Sequence, residues 1–336
     1  IFIEKLLIFV IVITLTLLLW ELRHPIILAF AAILISLLFS AIAGALQRRL
    51  SLPRPAALAV AVLVLLALGA GLIWLFGERI AEQFGSISKA LPAAIESLSA
   101  RLGDLGLGVN LHQLARQAVD GLALSKIGGL ALSTATVLVE LFFVLAAAIY
   151  FAARPELYRT GFIKLIPPRQ WTLARETLDA VASGLRRWLV GQLVAMVAIG
   201  LLTGLGLWLI GAPSALAMGV LAGAFEFMPY IGPILSAIPP LLLAVAQHPA
   251  LAVWILGLYV AVHQTENHIL QPLIQQRAVD IPPVLLLLSV IAMGVLFGIL
   301  GVVVAAPLAV TVFVLVKKLY VREALETFTP LPGASS

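Results

Sequence analysis

The sequence keeps one carboxylate in a setting where carboxylates are costly. Glu226 stands in Ala224-Phe225-Glu226-Phe227-Met228-Pro229-Tyr230-Ile231-Gly232-Pro233, inside an otherwise apolar stretch. A charged side chain at the centre of a membrane helix costs at least about 2.5 kcal/mol. Side chains retained at that cost serve a proton, an ion or a polar solute. Pro229, Gly232 and Pro233 interrupt the helix directly after Glu226, which is expected to leave backbone groups open beside the carboxylate. The chemistry expected is reversible binding of a proton, a cation or a solute, with Tyr230 as a contact. The plainer alternative is a structural Glu bonded to the freed amides.

A second polar group follows in His263-Gln264-Thr265-Glu266-Asn267-His268, then Gln271-Pro272. Gln264, Asn267 and Gln271 recur at spacings of three and four and share one face of a regular helix. Glu266 and His263 are three apart and are neighbours on such a helix. The stripe either lines a solute path or marks a helix end at the interface, where polar residues are cheap. It is a poor metal site: His263 and His268 are five apart and point to different sides of a helix, unlike a zinc-binding H-E-x-x-H pair. Ser86-Ile87-Ser88-Lys89 matches S-x-x-K without its companion motifs. No phosphate-cradling G-x-x-x-x-G-K-[ST] run occurs, and cysteine is absent. No catalytic set, metal or cofactor is therefore expected, and nucleotide drive within the chain is not expected either. Glu140 lies mid-span with no partner evident.

The elements that must position these groups are membrane helices. Hydrophobic residues make up 62% of the 336 and charged residues 11%, against about 25% charged in soluble domains. That leaves too little polar surface to cover a water-soluble globule of this size. The fold expected is an all-α, polytopic integral membrane protein with about eight transmembrane or re-entrant segments and one extramembrane helical segment. Residues 1–77 hold three spans, Leu6–Trp20, Ile26–Leu46 and Ala56–Phe76, and the first run reads as retained because no A-x-A-type cleavage site follows it. Residues 78–127 form an extracytoplasmic segment in which five acidic residues balance five basic ones. Ile80, Phe84, Ile87, Leu91, Ile95, Leu98 and Leu102 make one apolar stripe there, with a kink expected at Pro92 and a second helix starting at Asn110. The stripe suits a cap on the membrane domain or a partner-docking face.

Residues 128–152 supply the next span. Residues 153–188 form a cytoplasmic amphipathic segment with seven basic and three acidic residues, read as an in-plane helix leading into the following span. Residues 189–316 are the transport core, interrupted by only four charges (Glu226, Glu266, Arg277 and Asp280), and 317–336 are a cytoplasmic tail. Basic residues at Arg48, Arg49 and Arg54, in 154–187 and in 317–322 place those segments in the cytoplasm. Within the core, 214–246 and 284–316 are each too long for one straight span and are broken by Gly and Pro. Each either crosses the membrane or turns back as a re-entrant hairpin. Ala217-Met-Gly-Val-Leu-Ala-Gly223 and Ala292-Met-Gly-Val-Leu-Phe-Gly298 match at six of seven positions. Duplicated, Gly/Pro-interrupted segments point to transporter binding sites, although small residues also recur for helix packing alone.

Taken together these motifs resemble the AI-2E family of bacterial membrane proteins, the autoinducer-2 exporter group that includes PerM-like permeases. The resemblance is carried by Glu226-Phe-Met-Pro229-Tyr230-Ile-Gly232-Pro233, by Gln264-Thr-Glu266-Asn267 with Pro272, and by Phe297-Gly298-Ile-Leu-Gly301 with Pro307; Gly191-Gln192 also fits. It extends in detail from Arg187 to Val316, with Gln275-Gln276-Arg277 bulkier than the small residue many members place there. The resemblance implies a multi-pass permease of the bacterial inner (plasma) membrane and a homo-oligomer, a pentamer. It further implies export of a small polar solute such as autoinducer-2, or sodium/proton antiport. On this reading Glu226, Pro229, Tyr230, Gly232, Pro233, Gln264, Glu266, Asn267, Gln271 and Pro272 line the substrate or ion pathway. Gly298, Gly301 and Pro307 break the last long helix. A passive channel formed by the oligomer, and an intramembrane enzyme or non-transporting scaffold, are the competing classes.

Overall fold

The computed structural model describes residues 2–104, 130–247, 249–272 and 281–324. The helix expected from Asn110 and the Gln275-Gln276-Arg277 run lie outside them. All regular structure among the described residues is helical. Helix α1 (Phe2–Glu21) is separated from α2 (Arg23–Leu50) by Leu22 alone. A left-handed Ser51 (φ 51°) then closes α2 through its amide on the Gln47 carbonyl. Helix α3 (Arg54–Asp104) has 51 residues, about 75 Å of helix against a hydrocarbon core of about 30 Å. The third span and the outer amphipathic segment are thus one helix, which runs through Pro92 without ending there.

Helix α4 (Leu130–Ala153) is followed by α5 (Pro155–Ile163), which has proline in its first turn, and by a short 3-10 turn at Pro168–Gln170. Helix α6 (Trp171–Ile210) is a single helix of 40 residues. This corrects the expected in-plane helix followed by a separate span: no proline lies between 171 and 210 and the backbone never leaves the helix, so the amphipathic half and the apolar half are continuous. Helices α7 (Ala215–Phe225), α8 (Ile231–Gln247) and α9 (Pro249–Thr265) follow, and α9 widens to π geometry over Glu266–Leu270. Helix α10 (Pro283–Leu315) passes into a second π segment, Val316–Ala324.

Among the described residues, five stretches are long and apolar enough to cross a membrane: Arg23–Leu50, Arg54–Glu78, Thr136–Ala153, Pro168–Ile210 and Pro283–Val321. The chain is a multi-pass α-helical membrane protein. Helix α7, at 11 residues, is about 16 Å long and too short to cross alone.

The helices divide into two compact units. The first comprises 1–61, 140–186 and 281–336; the second comprises 62–139 and 187–280. In the first, buried Ala43 packs with Ala57 and Ala61, bringing α2 against the opening turns of α3. Small side chains allow such close approach where lipid supplies no hydrophobic drive. Helix α10 packs on α2. Polar contacts tie the remaining parts: Glu140 Oε1 lies 3.0 Å from His24 Nε2, a partner that sequence reading did not find. Lys318, only 4% exposed, places its Nζ 2.8 Å from Glu176 Oε2, joining the chain's tail to α6. Arg159 pairs with Asp179, joining α5 to α6.

In the second unit α6 and α7 meet at their backbones. A Cβ on Gly219 would lie 2.5 Å from Gly204 Cα and 2.6 Å from the Gly200 carbonyl oxygen. A Cβ on Gly223 would lie 2.5 Å from the Met196 carbonyl oxygen. Two small-xxx-small pairs, Gly200/Gly204 and Gly219/Gly223, therefore face one another. Leu207, Met218 and Ile255 bring α6, α7 and α9 into one buried cluster.

Candidate functional site

The first broken stretch, 214–246, folds as two packed helices, α7 and α8. The break spans Glu226 to Tyr230, and Tyr230 turns the chain with φ at 64°. A left-handed conformation costs a non-glycine residue about 1–2 kcal/mol. Gly232 sits where a Cβ would fall 2.0 Å from the Phe225 carbonyl oxygen, so only hydrogen fits there. The expected open backbone is largely absent. The amides of Glu226, Phe227, Met228, Ile231 and Gly232 each bond a backbone carbonyl, to Ala222, Ala224, Phe225, Pro229 and Met228 respectively. Tight turns re-satisfy the groups that the helix end releases. One carbonyl is met by a side chain: Gln192 Nε2 of α6 donates to the Glu226 oxygen at 2.7 Å.

With the local amides taken, the Glu226 side chain finds another partner. It is 7% exposed, as is Glu266, and the two carboxyl groups lie within interacting distance of each other. Glu266 receives two further contacts, from His263 Nδ1 to Oε2 at 3.1 Å and from Gln271 Nε2 to Oε1 at 3.2 Å. Ionised carboxylates are acceptors only. Contact between two of them requires a proton between the oxygens or a cation in its place. The arrangement is that of a buried acid pair flanked by an imidazole and an amide.

The π segment explains which polar residues join the pair. Gln271 reaches Glu266 five residues back, a spacing that π geometry brings into line. The stripe read from sequence assumed a regular period. In the structure Gln264, Asn267 and Gln271 are exposed, while Glu266 between them is buried. His268 Nδ1 contacts the Gln264 carbonyl instead of the acid pair. Pro229 and Pro233 are half-buried at the turn, Tyr230 and Pro272 are exposed, and Gly232 is buried. Two residues absent from the predicted pathway support this region: Gln192, and Tyr259, whose hydroxyl donates to the Ser236 carbonyl at 2.9 Å and fastens α9 to α8. Gln192 carried a signal through the family resemblance. Tyr259, a single tyrosine in an apolar run, carried none.

The second broken stretch, 284–316, folds back at Gly298, where φ is 64° and ψ −146°. Gly301 then presses on the Met293 carbonyl, at 2.0 Å from a would-be Cβ, and Gly294 faces Val302. Pro307 does not break the helix. It is fully buried inside the continuing limb, and Thr311 Oγ1 donates to its carbonyl at 2.9 Å. The break needs the positive φ that glycine supplies, and a proline with its own φ near −65° does not provide it.

Packed apolar helices, one fold turned at Tyr230, a second turned at Gly298 and a buried carboxyl pair define a polytopic α-helical membrane protein. The chain belongs to the AI-2E transporter family: the profile of the AI-2E family transporters matches residues 7–320. Among its relatives, YrrI of Bacillus subtilis, named for transport, is 30% identical over 49% of this chain and 48% of its own length. A Thermotoga maritima relative, likewise named for transport, is 33% identical over 40% and 41%. The AI-2 transport protein TqsA of Escherichia coli is 24% identical over 65% and 63%. The chain thus spans from about two-fifths to three-fifths of the length of these relatives.

Proposed function

We propose that this chain exports a small polar solute, such as autoinducer-2, by exchange for protons or sodium at the Glu226–Glu266 pair. The carrying observation is the contact of two buried carboxyl groups. Such a pair holds a proton or a cation and must release it when its surroundings change, which is what a coupling site requires. The strained Tyr230 backbone beside it supports the reading, because such strain gathers at ligand sites. The AI-2 in the name of one relative supports the solute. We place the protein in the bacterial inner membrane as a homo-oligomer, a pentamer on the family resemblance.

The same pair favours a second reading, sodium/proton antiport with no separate solute, because two carboxylates alone suffice to exchange one cation for another. Flux in proteoliposomes separates the readings. Gradient-driven autoinducer-2 movement supports export; sodium movement against protons without autoinducer-2 transport supports antiport. Non-saturating conduction in electrical recording indicates a passive channel and overturns both.

A further inference from the structure

We infer that the first unit carries a binding site for the phosphate of an anionic phospholipid headgroup, apart from the acid pair. An open cavity of about 630 Å³ lies between the start of α3 and the helix α5. Arg54, Arg154 and Lys164 line it. Among the described residues their side chains have no ion-pair or hydrogen-bond partner, although neighbouring cations are matched: Arg159 with Asp179, Lys318 with Glu176. One acid, Glu156, shares the lining, and its carboxylate lies 3.7 Å from Arg159. Three unmatched cations against one acid leave the cavity positive.

The geometry of α5 adds a seat and a membrane. Arg154, Leu157, Gly161 and Lys164 fall at helical spacing along the cavity wall. A Cβ on Gly161 would meet nothing within 4 Å, so the middle of that wall is open space bounded by cations. Beside it Tyr158, Phe162 and Leu165 are exposed apolar side chains at spacings of four and three. Such a face suits a helix lying at the lipid boundary. The basic residues of this segment put it on the cytoplasmic side, where anionic headgroups gather. A phosphodiester sits between the cations while its acyl chains run along the apolar face; a free phosphate has no use for that face.

The test uses the full chain in nanodiscs of phosphatidylcholine, with or without phosphatidylglycerol, and reads retained lipid by native mass spectrometry. Wild type retains phosphatidylglycerol over phosphatidylcholine. Arg54→Gln, Arg154→Gln and Lys164→Gln each weaken retention about five-fold, the equivalent of about 1 kcal/mol per cation at a membrane surface. Gly161→Leu fills the seat without changing charge and weakens it comparably. Arg169→Gln, the same charge change outside the cavity, leaves retention intact. Equal loss in Arg169→Gln overturns the site in favour of diffuse attraction. Wild-type retention in Gly161→Leu, or in all three cavity-charge variants, overturns it as well. Displacement of the lipid by millimolar inorganic phosphate makes the occupant a soluble anion and overturns the lipid assignment.

Discussion

Replacing Glu226 by glutamine keeps the shape of the side chain and removes its ability to exchange a proton. The amide still donates to Glu266, so the contact seen in the structure survives. An amide–carboxylate hydrogen bond replaces an acid–carboxylate one; both are charge-assisted, so the change is within about 1 kcal/mol and the assembled protein should persist. Transport should not. Two bare carboxylates about 4 Å apart repel by roughly 4 kcal/mol at an effective dielectric of 20. On the proposed coupling role, that repulsion is what makes loss of one cation call in another. With one partner neutral the repulsion vanishes, and with it the force that couples the gradient to movement. A loss of only half of it corresponds to about 30-fold in rate, because each tenfold takes about 1.4 kcal/mol. Gradient-driven flux in Glu226→Gln proteoliposomes should therefore fall at least that far, and the residual flux should ignore the imposed pH difference. Glu226→Asp, which keeps a titratable group, should recover part of the coupling. Wild-type flux and pH response from correctly assembled Glu226→Gln would refute the assignment of the acid pair as the coupling site.

Other substitutions test the scaffold. Gly219→Ala places a methyl 2.5 Å from Gly204 Cα, where only backbone can yield; it should cost about 1–3 kcal/mol and lower the thermal midpoint of the purified protein. Gly298→Ala forces a side chain onto φ 64° and should cost about 1–2 kcal/mol, read by the same melt. Tyr259→Phe removes the hydroxyl bonded to the Ser236 carbonyl and should cost about 0.5–1.5 kcal/mol while leaving the pH response of flux unchanged. An altered pH response in Tyr259→Phe would place that tyrosine in the ion pathway.

The class of the fold was legible because it follows from totals: a chain with 62% hydrophobic residues must use lipid as its solvent. Helix continuity was not. The change from apolar to charged residues near Glu78 and the change from charged to apolar near Leu189 looked like boundaries. Yet α3 and α6 run through both. Composition records where water begins, whereas a helix ends only where its backbone is interrupted. Glu226 and Glu266 were each visible as expensive carboxylates. Their contact was not, because it joins the end of α7 to the end of α9 across 40 positions of sequence. The contact of Gln271 with Glu266 was not legible either, because a π segment changes the period where it begins, and no residue type announces that change.

The repeated heptapeptides carry a further lesson about mechanism. Gly298 ends the second copy and turns the chain, but its counterpart Gly223 is helical and serves to seat α7 on α6. The true counterpart of Gly298 is Tyr230. Each has φ of 64°, each follows by five residues a carbonyl that is pressed on a glycine, and that glycine comes two or three residues later. The construction repeats while the letters do not. At Gly232 and Gly301 the opposing carbonyl leaves room for hydrogen alone, so neither fold can close further at its turn. Glu226 is thus held at the rigid end of its fold. On the proposed coupling role, an ion would be exchanged there by rotation of the carboxyl side chains and of His263 and Gln271 around them, without compressing the turn.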